Sequence, residues 1–209
     1  MGAGMTSWMH EERLNAAFAV VERSGARSVL DLGCGDGDLF VRLAHAPAVT
    51  RLVGVDICAT SLARLRHRLS VIPASAARIE LRNGSMTQAH PALSGFDCAM
   101  LIETIEHIDP SQLTQLECAV FGKMQPRSVV ITTPNAEFNT LLGVPAHRFR
   151  HPGHRFEWRR AQFRKWGDRV GTSFGYDVMY SDIAGCHPDL GGASQMAVFE
   201  QVQPRCVSE

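Results

Sequence analysis

Short apolar stretches alternate with helical patterns through residues 28–134, and this rhythm constrains the fold more than any other feature of the sequence. The apolar stretches read as strands: "SVLDLGCG", "RLVGVDI", "ARIELRNGS", "FDCAMLI" and "RSVVITTPN". Between them lie stretches with helical spacing: "DLFVRLAHA", "ATSLARLRHRLSVI" and "SQLTQLECAVFGKM". Strands that alternate with helices predict a mostly parallel sheet with helices on both faces.

The remaining segments complete a single predicted domain over residues 1–209. A helix over 10–23 precedes the rhythm, and Pro73 is expected to help end the helix that begins near 59. After it come a helix over 159–174 and two last strands, "YDVMYSDI" and "SQMAVFEQV". The irregular stretch at about 136–158 is long for a compact α/β domain, so we predict a substrate- and metal-binding insertion there.

Charge and composition exclude several classes of protein. The 21 basic and 21 acidic residues give a formal net charge of zero, so any nucleic-acid contact must rest on a local patch. No signal peptide or apolar run of membrane-spanning length is visible, and the six cysteines form no CxxC pair. These features predict a cytoplasmic protein with reduced thiols and no membrane association.

A glycine-rich turn follows the first strand and precedes a helix. Gly33, Gly35 and Gly37 form G-x-G-x-G, which lets the backbone turn sharply and approach a ligand. Asp31 lies before this turn, and Asp56 ends the second strand, where a carboxylate can accept two hydrogen bonds from ribose hydroxyls. The pattern favours a nucleoside cofactor, although a tight structural turn would use the same glycines.

The stretch "VLDLGCGDG" resembles the first motif of class I S-adenosylmethionine-dependent methyltransferases, and the resemblance covers residues 27–135. It implies a Rossmann-like fold with a seven-stranded, mostly parallel sheet whose last strand is antiparallel. It also implies S-adenosylmethionine as cofactor, with its methionine part by Asp31 and Gly33, its ribose on Asp56 and its adenine by Ser85. The full implied cofactor set is Asp31, Gly33, Gly35, Asp56, Ile57, Ser85, Met86 and Ile102.

Two carboxylates and an imidazole crowd together after the fourth strand, in "LIETIEHI". If 103–107 form a helical turn, Glu103, Glu106 and His107 stand at i, i+3 and i+4 and share one face. Such a donor set suits Mg²⁺ or Mn²⁺. A solvated acidic turn with His107 as a capping residue is the plainer alternative.

The segment 147–166 is rich in histidine, basic and aromatic residues. Each of its three histidines, at 147, 151 and 154, could complete a four-ligand metal set. Its basic residues outnumber Glu157 by six: Arg148, Arg150, Arg155, Arg159, Arg160, Arg164 and Lys165. Interleaved aromatics, at 149, 156, 158 and 163, favour binding of a single-stranded RNA end, with arginine for phosphate and aromatic rings for bases. A solvated helix face is the alternative for Arg160, Arg164 and Lys165.

The motifs "ETIEHI", "TTPNAEFN" and "GHRFEWRRAQFRKW" together resemble the small-RNA 3′-end 2′-O-methyltransferases of the HUA-enhancer family, over roughly residues 10–202. The resemblance implies a catalytic metal set of Glu103, Glu106, His107 and His154. Implied RNA contacts are Asn135, Asn139, Arg148, Arg150 and Arg155. The family usually has an acid where this chain has Gly153, which predicts weaker orientation of His154 or an altered RNA preference.

The resemblance therefore predicts metal-dependent methyl transfer from S-adenosylmethionine to the 2′-hydroxyl of an RNA 3′-terminal nucleotide that has free 2′- and 3′-hydroxyls. An RNA-repair protein is an expected partner, since the tail "CHPDLGGASQMAVF" resembles bacterial members. The proton acceptor stays open between His107 and a neighbour such as His151. Two alternatives are an O-methyltransferase acting on a small diol and a cofactor-binding scaffold without turnover.

Overall fold

The computed structural model describes residues 2–71 and 78–202. Its helices are α1 (Gly2–Ser24), α2 (Asp38–His45), α3 (Ala59–Ser70), α4 (Leu113–Glu117) and α5 (Arg160–Phe174). Its strands are β1 (Ser28–Leu32), β2 (Arg51–Asp56), β3 (Arg78–Asn83), β4 (Cys98–Ile102), β5 (Ser128–Pro134), β6 (Tyr176–Ile183) and β7 (Ser194–Gln201). The expected helix stop at Pro73 and the cysteine at 206 lie outside the described residues.

The seven strands form one sheet in the order β3-β2-β1-β4-β5-β7-β6. Strands β1 to β5 pair in parallel, whereas β7 is antiparallel to both β5 and β6. The predicted seven-stranded sheet with an antiparallel last strand is confirmed. The order reverses beside β1 and β4, and ligands of such sheets bind beyond the carboxyl ends of the strands at this point.

Alternate residues of the central strands enter two separate cores. Val29, Leu52 and Cys98 pack with the buried faces of α1, α2 and α3. Their chain neighbours Leu30 and Val53 pack on the opposite face, with side chains from α4 and α5. Every residue of β5 is buried, as expected for a strand covered on both faces. The predicted covering of both faces is confirmed.

Two predicted helices differ from the observed ones. The helix predicted over 10–23 spans Gly2–Ser24. The helix predicted over 111–124 is α4 followed by a wide π-helical turn, Cys118–Met124. At the junction the buried Glu117 accepts hydrogen bonds from Trp166 Nε1 (2.7 Å) and Arg169, which tie α4 to α5.

The segment 136–158 leaves the sheet and returns to it at one place. Asn135 forms a β-bridge with Trp158, and Ala136 N–H donates to the Trp158 carbonyl at 3.0 Å. The segment is therefore closed at its base, beside the carboxyl end of β5. Within 2–71 and 78–202, no helix is both long and apolar enough to cross a membrane.

Candidate active site

The glycine turn after β1 has a backbone that only glycine adopts easily. Gly33, Gly35 and Gly37 have φ values of 79°, 53° and 87°. Gly33 N–H donates to the Val55 carbonyl at 2.7 Å, and a Cβ at Gly33 would lie 2.5 Å from Thr104 Cγ2. The turn can therefore hold a ligand close to the backbone only with glycine at these positions.

Asp56, at the end of β2, is oriented by backbone amides. Its Oδ2 accepts from Gly35 N–H at 2.8 Å, and its Oδ1 accepts from Cys58 N–H at 2.7 Å. The carboxylate is thus fixed over the glycine turn before any ligand arrives. That position suits the two hydrogen bonds of a ribose diol.

Asp31, at the end of β1, is a buried acid with 3% of its surface exposed. Burial, and then the negative charge of Asp56, raises the pKa of Asp31 to about 7. An uncompensated buried carboxylate is costly, and a nearby cation removes that cost. The site therefore favours a positively charged ligand group beside Asp31.

All eight predicted cofactor residues line two neighbouring cavities. The larger, of about 880 Å³, is lined by Gly33, Gly35, Asp56, Ile57, Ser85 and Met86, and continues to Glu103, His107 and Arg155. The smaller, of about 210 Å³, is lined by residues that include Asp31, Ile102 and Glu103. Glu103 borders both cavities, so the cofactor residues and the acidic pair face one connected region.

Glu103 does not belong to a helical turn. The turn after β4 is a 3₁₀ turn over Ile105–His107, and Glu103 precedes it with a left-handed φ of 52°. The predicted shared helical face is therefore wrong for Glu103, whose N–H is held by the Thr132 carbonyl (3.1 Å) and hydroxyl (3.0 Å). Tertiary hydrogen bonds to β5 determine this conformation.

Two residues missed by the sequence reasoning hold the Glu103 side chain. Its Oε2 accepts from Arg13 Nη1 at 2.7 Å and from the Ser194 hydroxyl at 3.2 Å. Arg13 lies on α1 and Ser194 begins β7. In the sequence, Arg13 looks like an ordinary charged residue on a helix. No sequence pattern indicates that Ser194 contacts Glu103.

Glu106 is wholly buried. Its Oε2 accepts from the Thr133 hydroxyl at 3.0 Å. Burial, and then the charge of Glu103, raises the pKa of Glu106 well above its usual range. The Oε1 atoms of Glu103 and Glu106 are both buried and without a hydrogen-bond partner within the described parts of the chain. Two carboxylates that each have a buried, free oxygen fit a divalent cation.

Three imidazoles meet next to this acidic pair. His107, His151 and His154 each offer a ligand atom, and these atoms lie within 4.8 Å of one another. Partial burial, and then the neighbouring His154, lowers the pKa of His107. His107 and His154 are thus brought together with His151, while Glu103, Glu106 and His147 do not belong to this group among the described residues. The four-residue metal set stays a prediction.

Comparisons with known proteins agree with this geometry. A methyltransferase-domain family model matches residues 29–126. A Gallus gallus protein named small RNA 2′-O-methyltransferase is 37% identical, over 94% of this chain and 55% of the relative. The solved methyltransferase domain of bacterial CtHen1-CN is 32% identical with a TM-score of 0.83, over 92% of this chain and 99% of that one. The chain belongs to the Hen1 small RNA methyltransferase family.

A longer solved relative gives the same fold. The small RNA methyltransferase HEN1 is 31% identical with a TM-score of 0.86, over 96% of this chain and 26% of that chain. The present chain spans about half the length of the Gallus gallus relative. The shared part is thus the methyltransferase unit of longer Hen1 proteins.

Two of the RNA contacts implied by the Hen1 resemblance need correction. Asn135 is wholly buried, and its amide donates to the carbonyls of Leu190 (2.7 Å) and Gly192 (2.9 Å). The Arg150 guanidinium donates inward, to the Asn139 side chain and to the carbonyls of Asn135 and Ala193. These polar atoms already have hydrogen-bond partners within the protein. Asn135 and Arg150 therefore stabilise the structure around the Hen1 site.

The remaining RNA predictions fall on residues with different exposure. Arg148 and Arg155 are exposed, and Arg155 lines the larger cavity. Arg155 is also held at its backbone, where its N–H donates to the Glu106 carbonyl at 2.7 Å. Asn139 is half-buried, and its Nδ2 donates to Glu157 Oε2 at 2.7 Å. Arg148 and Arg155 thus stay RNA-contact predictions.

The aromatics of this stretch are mostly structural in this Hen1 unit, whereas five of its seven basic residues are exposed. Phe149 is 47% exposed, while the aromatics at 156, 158 and 163 pack into the core near α5. Arg160 pairs with Glu137 (2.9 Å) and Asp182 (3.7 Å). The basic surface available to RNA is therefore smaller than the formal charge of the segment implies.

Glu157 orients His154, a role that the sequence reasoning missed. Its Oε1 accepts from His154 Nδ1 at 2.5 Å and from Arg150 N–H at 2.7 Å. Burial alone would raise the pKa of Glu157, but these hydrogen bonds, with that from Asn139, hold it below its usual range. The expected effect of Gly153 on the orientation of His154 stays a prediction. The i, i+3 spacing of "HRFE" was the available signal.

Proposed function

We propose that this chain transfers a methyl group from S-adenosylmethionine to the 2′-hydroxyl of an RNA 3′-terminal nucleotide, with Mg²⁺ or Mn²⁺ as a required ion. One observation carries the proposal. A cavity of about 880 Å³ is lined by six of the eight predicted cofactor residues and also by Glu103, His107 and Arg155. Membership of the Hen1 family supports the same reading, since its named relatives methylate small RNA.

The donor set fits the ion. Glu103 and Glu106 each keep a buried oxygen that has no hydrogen-bond partner among the described residues. His107 and His154 donate from Nδ1 to Gly153 and Glu157, which directs their Nε2 lone pairs away from the protein backbone. These four residues would hold the ion. When bound, it would lower the pKa of a coordinated ribose hydroxyl, and S-adenosylmethionine would supply an activated methyl group.

The residues of the chain position both reactants. Asp31 compensates the positive charge of the cofactor, and Asp56 binds its ribose diol on the glycine turn. Arg13 and Ser194 fix Glu103, while Thr133 fixes Glu106. Good alignment of two reacting groups is worth roughly 7–11 kcal/mol of the barrier. Arg155 lies at the mouth, where a phosphodiester of RNA would enter.

The test uses labelled S-adenosylmethionine, Mn²⁺ and three RNAs of one sequence. The first ends in free 2′- and 3′-hydroxyls, the second lacks the terminal 2′-hydroxyl, and the third ends in a 3′-phosphate. We expect label only on the first RNA. Equal labelling of all three would overturn the proposal, and labelling of a catechol but of no RNA would support the small-diol alternative.

Two further expectations from the resemblance stay predictions. An RNA-repair protein is proposed as a partner, and a cytoplasmic location is proposed for the protein. Exposed residues Arg148 and Phe149 lie on the segment that would face such an RNA complex. Co-purification of a repair protein that is lost on RNase treatment would show that RNA, and not protein contact, joins the two.

A further inference from the structure

The peptide of Gly153 contacts two of the clustered histidines in opposite senses. Its N–H donates to His151 Nδ1 at 3.0 Å. Its carbonyl lies 3.2 Å from His107 Nδ1 and accepts a hydrogen bond from the N–H group at that nitrogen. The His151 ring is therefore a hydrogen-bond acceptor, and the His107 ring a hydrogen-bond donor, toward the same peptide group.

These contacts determine which ring nitrogen carries the proton. A neutral imidazole has one N–H and one lone pair. His107 and His154 donate from Nδ1, so their Nε2 atoms carry lone pairs that can bind a metal. His151 accepts at Nδ1, so its Nε2 carries the proton. The third ring of the cluster therefore offers an N–H group where the other two offer lone pairs.

An N–H group cannot bind a cation or accept a proton from the substrate. We propose that His151 is a substrate-binding hydrogen-bond donor, whose Nε2–H contacts an oxygen of the RNA 3′-terminal nucleotide. This inference rests on the proposed RNA function. It removes His151 from the candidates for the proton acceptor and separates it from the metal ligands.

The location of His151 agrees with this role. Its ring lies 5.6 Å from that of His107 and 5.5 Å from that of His154, centroid to centroid. The side chain is exposed, so a substrate can reach it. Nucleotides present hydroxyl and phosphate oxygens, which accept hydrogen bonds from such a donor. His151 is therefore an exposed N–H donor next to His107 and His154, two of the proposed metal ligands.

The two rings leave little space for a side chain at Gly153. A Cβ at residue 153 would lie 3.0 Å from His151 Nδ1 and 3.2 Å from His107 Nδ1. Both distances are tighter than ordinary van der Waals contact, so a side chain would push the two rings away from the peptide that holds them. Glycine lets the N–H and the carbonyl serve both rings at once.

The kinetic test compares His151→Gln, His151→Ala and a matched control, His147→Gln, at an exposed histidine outside the cluster. Glutamine keeps an N–H donor at a similar reach but cannot act as a base, while alanine removes the donor. For His151→Ala we expect KM for RNA to rise about tenfold with kcat unchanged, the loss of roughly one hydrogen bond. His151→Gln should stay within about threefold of wild type. A large loss of kcat in both His151 variants would overturn the proposal.

Two readouts do not depend on methyl transfer. Mn²⁺ affinity of His151→Ala, from calorimetry, should match that of wild type, whereas weaker binding would make His151 a metal ligand. The ¹⁵N spectrum of the histidine rings should show His151 protonated at Nε2 and His107 at Nδ1. An Nδ1-protonated His151 would contradict the inference. If wild type methylates no RNA, the proposed function fails, while the spectrum still shows whether Gly153 holds the two rings in opposite tautomers.

Discussion

The predicted site has two halves: the cofactor half, with Asp31 and Asp56, and the metal half, with the proposed ligands Glu103, Glu106, His107 and His154. The two halves are built in different ways. In the cofactor half, Asp31 and Asp56 end neighbouring strands, and the amides of Gly35 and Cys58 hold Asp56 through contacts close in the chain. In the metal half, Glu103 is held by side chains 90 and 91 residues away, at Arg13 and Ser194. Cofactor binding thus needs a local strand-turn-helix unit, whereas the metal half needs the whole fold.

Substitution of Glu106 should have the largest effect on methyl transfer, because Glu106 is a proposed metal ligand. Its buried charge also destabilises the fold. Glu106→Gln removes a buried charge and keeps the shape and the Thr133 contact. We expect methyl transfer to fall at least 1000-fold, on the order of the loss when a metal-ligating charge is removed. The matched control is Glu22→Gln, at an exposed position of α1, which should transfer at the wild-type rate.

The same variant should be more stable without metal. Because the folded-state pKa of Glu106 lies above the unfolded value, its carboxyl destabilises the fold as pH rises above that unfolded value. Glu106→Gln should therefore melt at a higher temperature than wild type at pH 8, with a smaller difference near pH 4.5. A lower melting temperature at pH 8 would contradict the assignment of Glu106 as a strained, buried acid.

Glu157 tests whether the metal half depends on distant support. Glu157→Gln should weaken the hold on His154 Nδ1 and lower Mn²⁺ affinity and transfer by about 10- to 100-fold. The KM for S-adenosylmethionine should stay unchanged, since the contacts of the cofactor half are local. An equal loss of cofactor affinity would mean that the two halves are not separable.

Asp31 tests the cofactor half through pH. Its pKa of about 7 means that the carboxylate, the form that attracts a cation, is lost as pH falls below 7. Calorimetry should therefore show S-adenosylmethionine affinity falling up to about tenfold per pH unit below 7 and levelling above 8. Asp31→Asn should bind weakly and without this pH dependence. A wild-type affinity that is flat from pH 5.5 to 8 would count against the role of Asp31.

Arg155 should give the smallest effect, confined to RNA binding. Arg155→Gln is expected to weaken RNA several-fold and to reduce the salt dependence of log Kd by about 0.7, one phosphate contact on a single strand. Arg23→Gln, at an exposed position near the opposite edge of the sheet, is the control and should change neither quantity. An unchanged salt dependence of Kd in Arg155→Gln would show that Arg155 does not contact an RNA phosphate.

Sequence patterns predicted the cofactor half well because its information is local. The seven-stranded sheet with its antiparallel β7 was predicted from one strand-turn-helix motif and its likeness to known methyltransferases, whereas the strand order was not predicted; the eight predicted cofactor residues lie at the cavities. The pattern of residue types also located the acidic pair and two of the three clustered histidines. What residue type alone does not reveal is the direction of a side chain.

The predictions that failed share one cause, which is that residue type does not determine the direction of a side chain. The φ of Glu103 depends on hydrogen bonds to Thr132, so helical spacing misplaced it. Asn135 and Arg150 have the residue types of RNA contacts but turn inward. Glu157 was counted as one acid among basic residues, although its contacts make it the support of His154. Each of these roles is fixed by tertiary hydrogen bonds.

We propose that Glu103, Glu106, His107 and His154 together hold a divalent ion on which methyl transfer depends. The most direct measurement is a single-turnover assay of RNA 3′-end methylation against Mn²⁺ concentration, after treatment with a chelator, for wild type, Glu106→Gln and His154→Ala. We expect no transfer by wild type without metal, saturable recovery with Mn²⁺, and no recovery in either variant. Full transfer by chelator-treated wild type, or normal recovery in both variants, would contradict it.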